Sequence, residues 1–463
     1  MITQLLAAFV TRAGRGDLPA PVIAAARRGL LDCLAVTLAG SREDVARLLA
    51  RQVRAYASVP QSTVIRGDLR ASAPLAAWAN GAAAHALDYD DVLHIGSQWM
   101  GHPSVAVLPA ALAVAEQREA SGRALLLAYV TGLEIYAAVG LLCGDEPYRR
   151  GWHNTSYIGT MAAAGAVASL LGLDEAATRR CFGIAGSLAG GLRQNFGTMT
   201  KPLHAGIAAR NGVEAGLLAA EGLTADESIF EAPLGFLSVF TGHRAGVVDA
   251  IPQGETRLTP DEFAARLGNP WRVSDPGLAF KICPSCRATH FGMDAALEFR
   301  QSGRLDPERI VAVECRVPRH MASVLFHHAP QTGLEGKFSL EYVMARALLD
   351  GVPKIGDFTD ARVNEPRVRA LMGRIHWAPF DPAAGTFGTP EFVLTLNDGG
   401  ELRARVEFPR GDPENPVPDA VLIDKFDDCA GLVLPAEVCA QVRDQVMDLE
   451  NLPRVTDLTR LLR

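Results

Sequence analysis

The chain has 463 residues, 48% of them hydrophobic but only 6% aromatic, with a formal net charge of −7 and a pI of about 5.9. That length exceeds what one hydrophobic core usually serves, so two domains are expected. The acidic balance leaves no basic footprint for nucleic acid or an anionic membrane surface.

The opening "MITQLLAAFVTRAGRGDLPAP" lacks a basic n-region, and its apolar run is too short for a signal peptide. Further on, "MAAAGAVASLLGL" reads as the longest apolar run and is too short to cross a bilayer, so a soluble cytoplasmic protein is expected. Eight cysteines without framework spacing suit free thiols in a reducing compartment. The one CxxC, Cys283 to Cys286, has no second pair at finger spacing and reads as two small side chains beside a turn.

Helical periodicity dominates from about residue 20 to 265. "PAPVIAAARRGLLDCLAVTLAG", "SAPLAAWANGAAAHALDYDD", "SVAVLPAALAVAEQ", "ALLLAYVTGLEIYAAVGLL" and "TMAAAGAVASLLGL" place apolar residues three and four apart between Gly and Pro stops.

Within this stretch, "HALDYDDVLHIGSQWMGHPS" (85–104) carries three histidines and three aspartates between two helical runs. Asp88, Asp90 and Asp91 open like a calcium loop, but the glycine and the closing glutamate are missing, Trp99 standing at the twelfth position. Acid–base catalysis or a His/Asp transition-metal site remain. His102, ahead of a helix-starting proline, is the best candidate base, and His94 reads as a solvated loop histidine. In "GWHNTSYIGTMAAAG" (151–165) His153 precedes the cap formers Asn154, Thr155 and Ser156, a second helix N-terminus bearing a histidine.

"NFGTMTKPLHAGIAARNG" (195–212) sets Lys201 directly before a proline, which predicts Lys201 at the N-cap of a helix starting at Pro202. Such a terminus offers unpaired N–H groups and positive dipole to a carboxylate or phosphate. The competing reading is an exposed lysine that merely caps a core helix. "FKICPSCRATHFGMDAAL" (280–297) repeats the arrangement with Lys281, Arg287 and His290. Four segments thus put a base or cation at the start of an alanine-rich helix, which suits a polyanionic substrate held among helix termini.

After "LGNPWRVSDPG" the texture changes. "RIVAVECRVP" alternates like a strand, "KFSLEYVMARALLDG" reads as a helix, and "EFVLTLNDGGELRARVEFP" as a hairpin turning at Asn-Asp-Gly-Gly. "GDPENPVP" reads as a linker, and the tail returns to helix. The expected division is 1–267 helical, 268–408 α+β, and 409–463 as helices packing back on the first part.

With these segments together, the chain resembles the MmgE/PrpD family through "AHALDYDD", "HPSVAVLPAALAVAE", "GWHNTSYIGT", "NFGTMTKPLHAGIAARNGV", "PSCRATH", "EGKFSLEYVMARALLDG" and "DPENPV" followed by "KFDDCA". The resemblance implies a mainly α fold, with a large all-helical domain built from both chain ends and a smaller inserted α+β lid domain. It also implies a homodimer needing no metal or organic cofactor, and a lyase that dehydrates or decarboxylates a small di- or tricarboxylic acid through a carboxylate-stabilised carbanion. An epimerase on the same scaffold is the alternative; a non-catalytic carboxylate binder and a metal-dependent hydrolase stand further off. Carried over by motif, the implied catalytic residues are Asp88, His102, His153, Lys201 and His290. Lys281 is implied as substrate-binding, and Arg287 and His204, from the same segments, are added to it. Val92 stands where many members have threonine, the 92–101 loop is longer than in the decarboxylase pattern, and Tyr157 replaces a commonly small residue.

Overall fold

The computed structural model describes residues 1–96, 98–242, 251–253, 256–383 and 386–463. Helices Ala73–His85, Ser104–Gln117, Gly122–Cys143, Asn154–Leu171 and Thr200–Ala220 form the centre of the larger part. Their small residues decide how they meet. A Cβ on Gly206 would lie 2.2 Å from the carbonyl oxygen of Trp78, and one on Gly81 would lie 2.9 Å from Cα of Gly206. Helices Ala73–His85 and Thr200–Ala220 therefore touch backbone to backbone, and Gly212 does the same against Ala163. Such close packing places the helix termini rigidly.

The expectation of an all-helical larger domain is corrected by three antiparallel hairpins among the described residues. Ser62–Val64 pairs with Leu69–Ala71, Leu93–Ile95 with Gln98–Gly101, and Ile251–Gln253 with Thr256–Leu258. Each strand has three or four residues, too few for alternation to register as a pattern. Another correction concerns Gly122–Cys143. This 22-residue helix is long and apolar enough to cross a membrane, contrary to the reading of the apolar runs, yet its apolar window is wholly buried among the other helices.

The remaining sheet has four strands in the order Glu401–Arg405, Glu391–Leu396, Ile310–Pro318, Ile375–Phe380. The last pairs parallel to Ile310–Pro318 and the other pairings are antiparallel. Ile375–Phe380 carries Pro379 and no clean alternation, which an edge strand tolerates and which hid it from pattern reading. Buried apolar residues on this sheet and on helices His290–Gln301 and Leu340–Asp350 form one core from Cys283 to Val406. A second core runs from Ile2 to Phe280 and resumes from Val417 to Leu462, where Asp419–Ala430 packs on Ala20–Gly40. The "GDPENPVP" segment is not a bare linker: Phe280 N–H donates to Gly411 O at 2.8 Å, and Asp412 is buried.

Candidate active site

Helix Ala73–His85 ends in a turn that has no regular structure through Asp91, and this turn organises the site. Asp88 lies in it with φ +53°, a left-handed conformation uncommon for a residue with a Cβ. Its buried carboxylate accepts from Lys201 Nζ at 2.8 Å on one oxygen and from Lys281 Nζ at 2.5 Å on the other. Lys281 Nζ also donates to Asp88 O at 2.8 Å. Burial by itself would raise the Asp88 pKa, but Lys201 and then Lys281 outweigh it and hold the carboxyl well below its ordinary range. Burial pulls Lys281 down, yet Asp88 and Asp90 outweigh it and the ammonium is raised above its usual value. Lys201 also faces the rings of Phe338 and Phe196, 5.0 and 5.4 Å from their centroids.

The helix bearing Lys201 starts earlier than its proline suggests. It runs Thr200–Ala220 with Met199 at the N-cap, so Lys201 is in the first turn and buried, not an exposed cap. Pro202 fits there because the first-turn N–H groups have no partner inside the helix.

Beside Asp88 stands a carboxylate shared by two histidines. Asp90 lies 2.8 Å from His102 Nδ1 and 3.0 Å, by either oxygen, from His85 Nδ1. His102 Nδ1 is also 2.9 Å from Asp91 O. Both neighbours of that nitrogen are acceptors, so Nδ1 carries the proton and Nε2 is left with a lone pair, 4.0 Å from Asp88 Oδ1. Burial lowers the His102 pKa against the pull of Asp90, with Lys281 and Lys201 adding to the lowering, so the ring is neutral near pH 7. His85 is driven to about 3 chiefly by burial. Burial would raise Asp90, but His85 and His102 keep it well below the carboxylate range. Of the four side chains His85, Asp88, Asp90 and His102, only His102 is partly exposed.

His153 is the N-cap residue of helix Asn154–Leu171, and its Nδ1 lies 3.1 Å from Nδ1 of His204. Burial, then Lys201 and His204, press His153 well below its ordinary pKa; burial and Lys201 bring His204 to about 4. The two are thus a neutral pair, one ring donating to the other. His85 joins this pair to His102, its ring centroid 4.6 Å from that of His102 and 6.0 Å from that of His153.

Arg287 is placed differently from its expected substrate-binding role. Its guanidinium is buried and donates to Asp412, Pro409 O and Arg410 O, with Nη1 3.2 Å from His290 Nδ1. Its donors bind the 409–412 segment, so it serves as an internal brace. His290 begins helix His290–Gln301, buried, with Nε2 lacking a partner among the described residues; burial, Arg287 and Lys281 lower its pKa strongly. His94, expected in solvent, is buried, 3.7 Å from Asp412 and stacked on Trp99. The cysteines are free, and burial raises the Cys283 thiol to about 12.

Residue-type reasoning placed His85 and Asp90 in a His- and Asp-rich segment without giving either a role, and passed over Lys337 and Lys425. Lys337 Nζ donates to Leu87 O at 2.5 Å, and burial lowers it to about 8. Lys425 Nζ donates to Asp32 at 2.6 Å and to Tyr89 O at 2.7 Å. One signal pointed to them: only five of the 45 basic residues are lysine, namely 201, 281, 337, 354 and 425. Four of these five are buried around the 87–89 turn. A groove of about 1500 Å³ lined by Lys281, Lys337, Leu87, Tyr89 and Pro202 runs alongside.

The donor atoms of His85, Asp88, Asp90 and His102 lie within 4.8 Å of one another, close enough for a metal ion. They are already committed: Asp88 carries two ammonium groups and Asp90 two imidazoles. A dication there would sit against Lys201 and Lys281.

The sequence matches the MmgE/PrpD N-terminal domain over residues 4–246 and the MmgE/PrpD C-terminal domain over residues 283–450. It is 30% identical over 477 residues to the cis-aconitate decarboxylase of Mus musculus and 29% identical to that of Homo sapiens, covering all of this chain and 93% and 94% of those proteins. A cis-aconitate decarboxylase-like protein of Aspergillus oryzae is 29% identical, with all of this chain and 97% of that protein covered.

Proposed function

Because the chain belongs to the MmgE/PrpD family, we propose that it is a lyase that dehydrates or decarboxylates a small di- or tricarboxylic acid through a carboxylate-stabilised carbanion. The observation that carries this reading is the juxtaposition of His102, neutral and oriented by Asp90, with a carboxylate holding two buried lysines. A neutral imidazole with a free Nε2 is a base; two ammonium groups a few ångströms away favour negative charge developing on a substrate carboxylate. Each well-placed donor of this kind contributes on the order of 3 kcal/mol to the transition state.

In a dehydration, His102 Nε2 takes the proton from the carbon next to a carboxylate. The C–H electron pair becomes the enolate and then the C=C bond as the C–O bond breaks. His153, relaying a proton taken from solvent through His204, converts the leaving hydroxide to water. In a decarboxylation, the C–C pair passes to the carbon conjugated with a remaining carboxylate as CO2 departs. That carbon then receives one proton from His102 or His153, whichever has first taken it up from solvent, since both rings are neutral at rest. Asp88 keeps Lys281 charged and holds it and Lys201 aligned until substrate arrives. The committed donors around Asp90 and the two flanking cations support chemistry without a metal.

The test is incubation of chelator-treated protein in D2O with citrate, methylcitrate, cis-aconitate, malate and iminodisuccinate, each followed by proton NMR. Net loss of CO2 with one deuterium on the carbon that lost it, or net loss of water with deuterium exchanged into the Cα–H position of unconverted substrate, is expected. Deuterium entry with inverted configuration and no loss would instead mark an epimerase. Silence reversed by zinc or manganese would refute the metal-free mechanism.

A further inference from the structure

Three successive backbone carbonyls in the turn after helix Ala73–His85 each receive an ammonium group. Leu87 O accepts from Lys337 at 2.5 Å, Asp88 O from Lys281 at 2.8 Å, and Tyr89 O from Lys425 at 2.7 Å. The three lysines come from remote places: Lys337 from the segment before helix Leu340–Asp350, Lys281 from the loop before Cys283, and Lys425 from helix Asp419–Ala430. The central residue of the turn is Asp88, held at φ +53°. A non-glycine residue in that region is strained and persists where surrounding contacts determine it.

The choice of lysine is informative in a chain where arginine is the usual cation. A compact ammonium can sit on one carbonyl in a buried space, whereas a planar guanidinium with five donors would leave most of them unpaired there. Lys354, the fifth lysine, is exposed. Lys425 has its remaining donors on Asp32 and on Lys281 O, at 2.6 and 3.0 Å, so it ties the turn to the backbone that carries Lys281.

We propose that Lys337 and Lys425 are positioning residues of the active site: by binding the carbonyls of Leu87 and Tyr89 they hold Asp88 left-handed, with its carboxylate between Lys201 and Lys281. Placement of the site thereby depends on two chain segments that contribute no group to the chemistry. The inference rests on the lyase reading only for its kinetic arm.

The experiment uses the full-length chain with Lys337→Met and Lys425→Met, which keep side-chain length and remove the donor. Lys337→Gln keeps one donor, and Asp32→Asn disturbs Lys425 without removing it; these two carry the same test should a methionine variant not fold. Amide hydrogen exchange read by mass spectrometry needs no substrate. Exchange over residues 87–93 is expected to quicken about tenfold or more, with helix Gly122–Cys143 unchanged. With whichever polycarboxylate the wild type turns over, kcat should fall about 30-fold or more with KM within about threefold, and Lys337→Gln should recover part of it. Unchanged exchange at 87–93 in folded variants, or exchange that rises equally throughout, overturns the proposal. Local loosening in a protein whose wild type turns over nothing upholds the clamp and rejects the lyase reading instead.

Discussion

Replacing Asp90 by asparagine isolates the step on which the proposed mechanism depends. The carboxylate accepts from Nδ1 of His102 at 2.8 Å and so keeps the lone pair on Nε2. When Nε2 takes a proton, the imidazolium charge is centred about 4 Å from Asp90. At an effective dielectric constant of 20 the attraction is about 4 kcal/mol, so its loss slows proton abstraction by about 10³-fold. An asparagine amide turned with its NH2 toward Nδ1 would also move the ring proton to Nε2 and abolish the base, adding to the deficit. The expected outcome for Asp90→Asn is kcat lowered about 10³-fold with KM within about threefold, because Asp90 touches histidines and not substrate. The assay is steady-state turnover of the polycarboxylate identified by NMR, with ¹⁵N spectra of labelled histidine to read the tautomer of His102. If kcat stays within threefold while those spectra show the Nδ1 proton lost, His102 is not the base and the mechanism is refuted.

Lys201→Met removes one of two ammonium groups facing Asp88 and should lower kcat/KM by about 10²–10³-fold, measured by the same assay; loss of less than fivefold would assign charge stabilisation to Lys281 alone. Stability should depend on pH through the buried histidines. His85 and His204 have folded pKa values of about 3 and about 4, below the unfolded value near 6.5, so the unfolded chain binds more protons between those limits. Their contribution is complete above pH 6.5 and is lost as pH falls toward 4, by up to about 1.4 kcal/mol per pH unit for each ring. Urea unfolding between pH 4.5 and 7.5 checks this, and His85→Gln should flatten the slope. Gly206→Ala places a methyl group 2.2 Å from Trp78 O, between two backbones. It should destabilise by about 1–3 kcal/mol, whereas Gly190→Ala, with nothing among the described residues within 4 Å, should stay within about 0.5 kcal/mol. Equal melting temperatures for the two would show that the helices do not meet as closely as Gly206 requires.

Much of the candidate site's placement was readable because helix starts are local events. Pro103 after His102, Asn154 and Thr155 after His153, and Pro202 after Lys201 mark helix N-termini within a few residues, and the structure puts each of these side chains at or near one. The limit of such signals shows at Arg287, which shares its segment with Lys281 yet turns to Asp412, 125 residues away. Nothing within the segment distinguishes the two cations. The short hairpins and the edge strand Ile375–Phe380 escaped for a related reason: three to six residues do not carry enough period to separate a strand from a turn.

The sequence by itself determined a mostly helical chain, the helix termini that bear His102, His153, Lys201 and His290, and the scarcity of lysine that sets five positions apart. Only the tertiary structure decided which charges meet. Asp88 gathers Lys201 and Lys281, and its neighbouring carbonyls gather Lys337 and Lys425, across separations of more than a hundred residues in every case. Helix propensity and capping are settled by neighbours along the chain. A buried charge is tolerated only beside its partner, and which partner it finds depends on how distant helices pack.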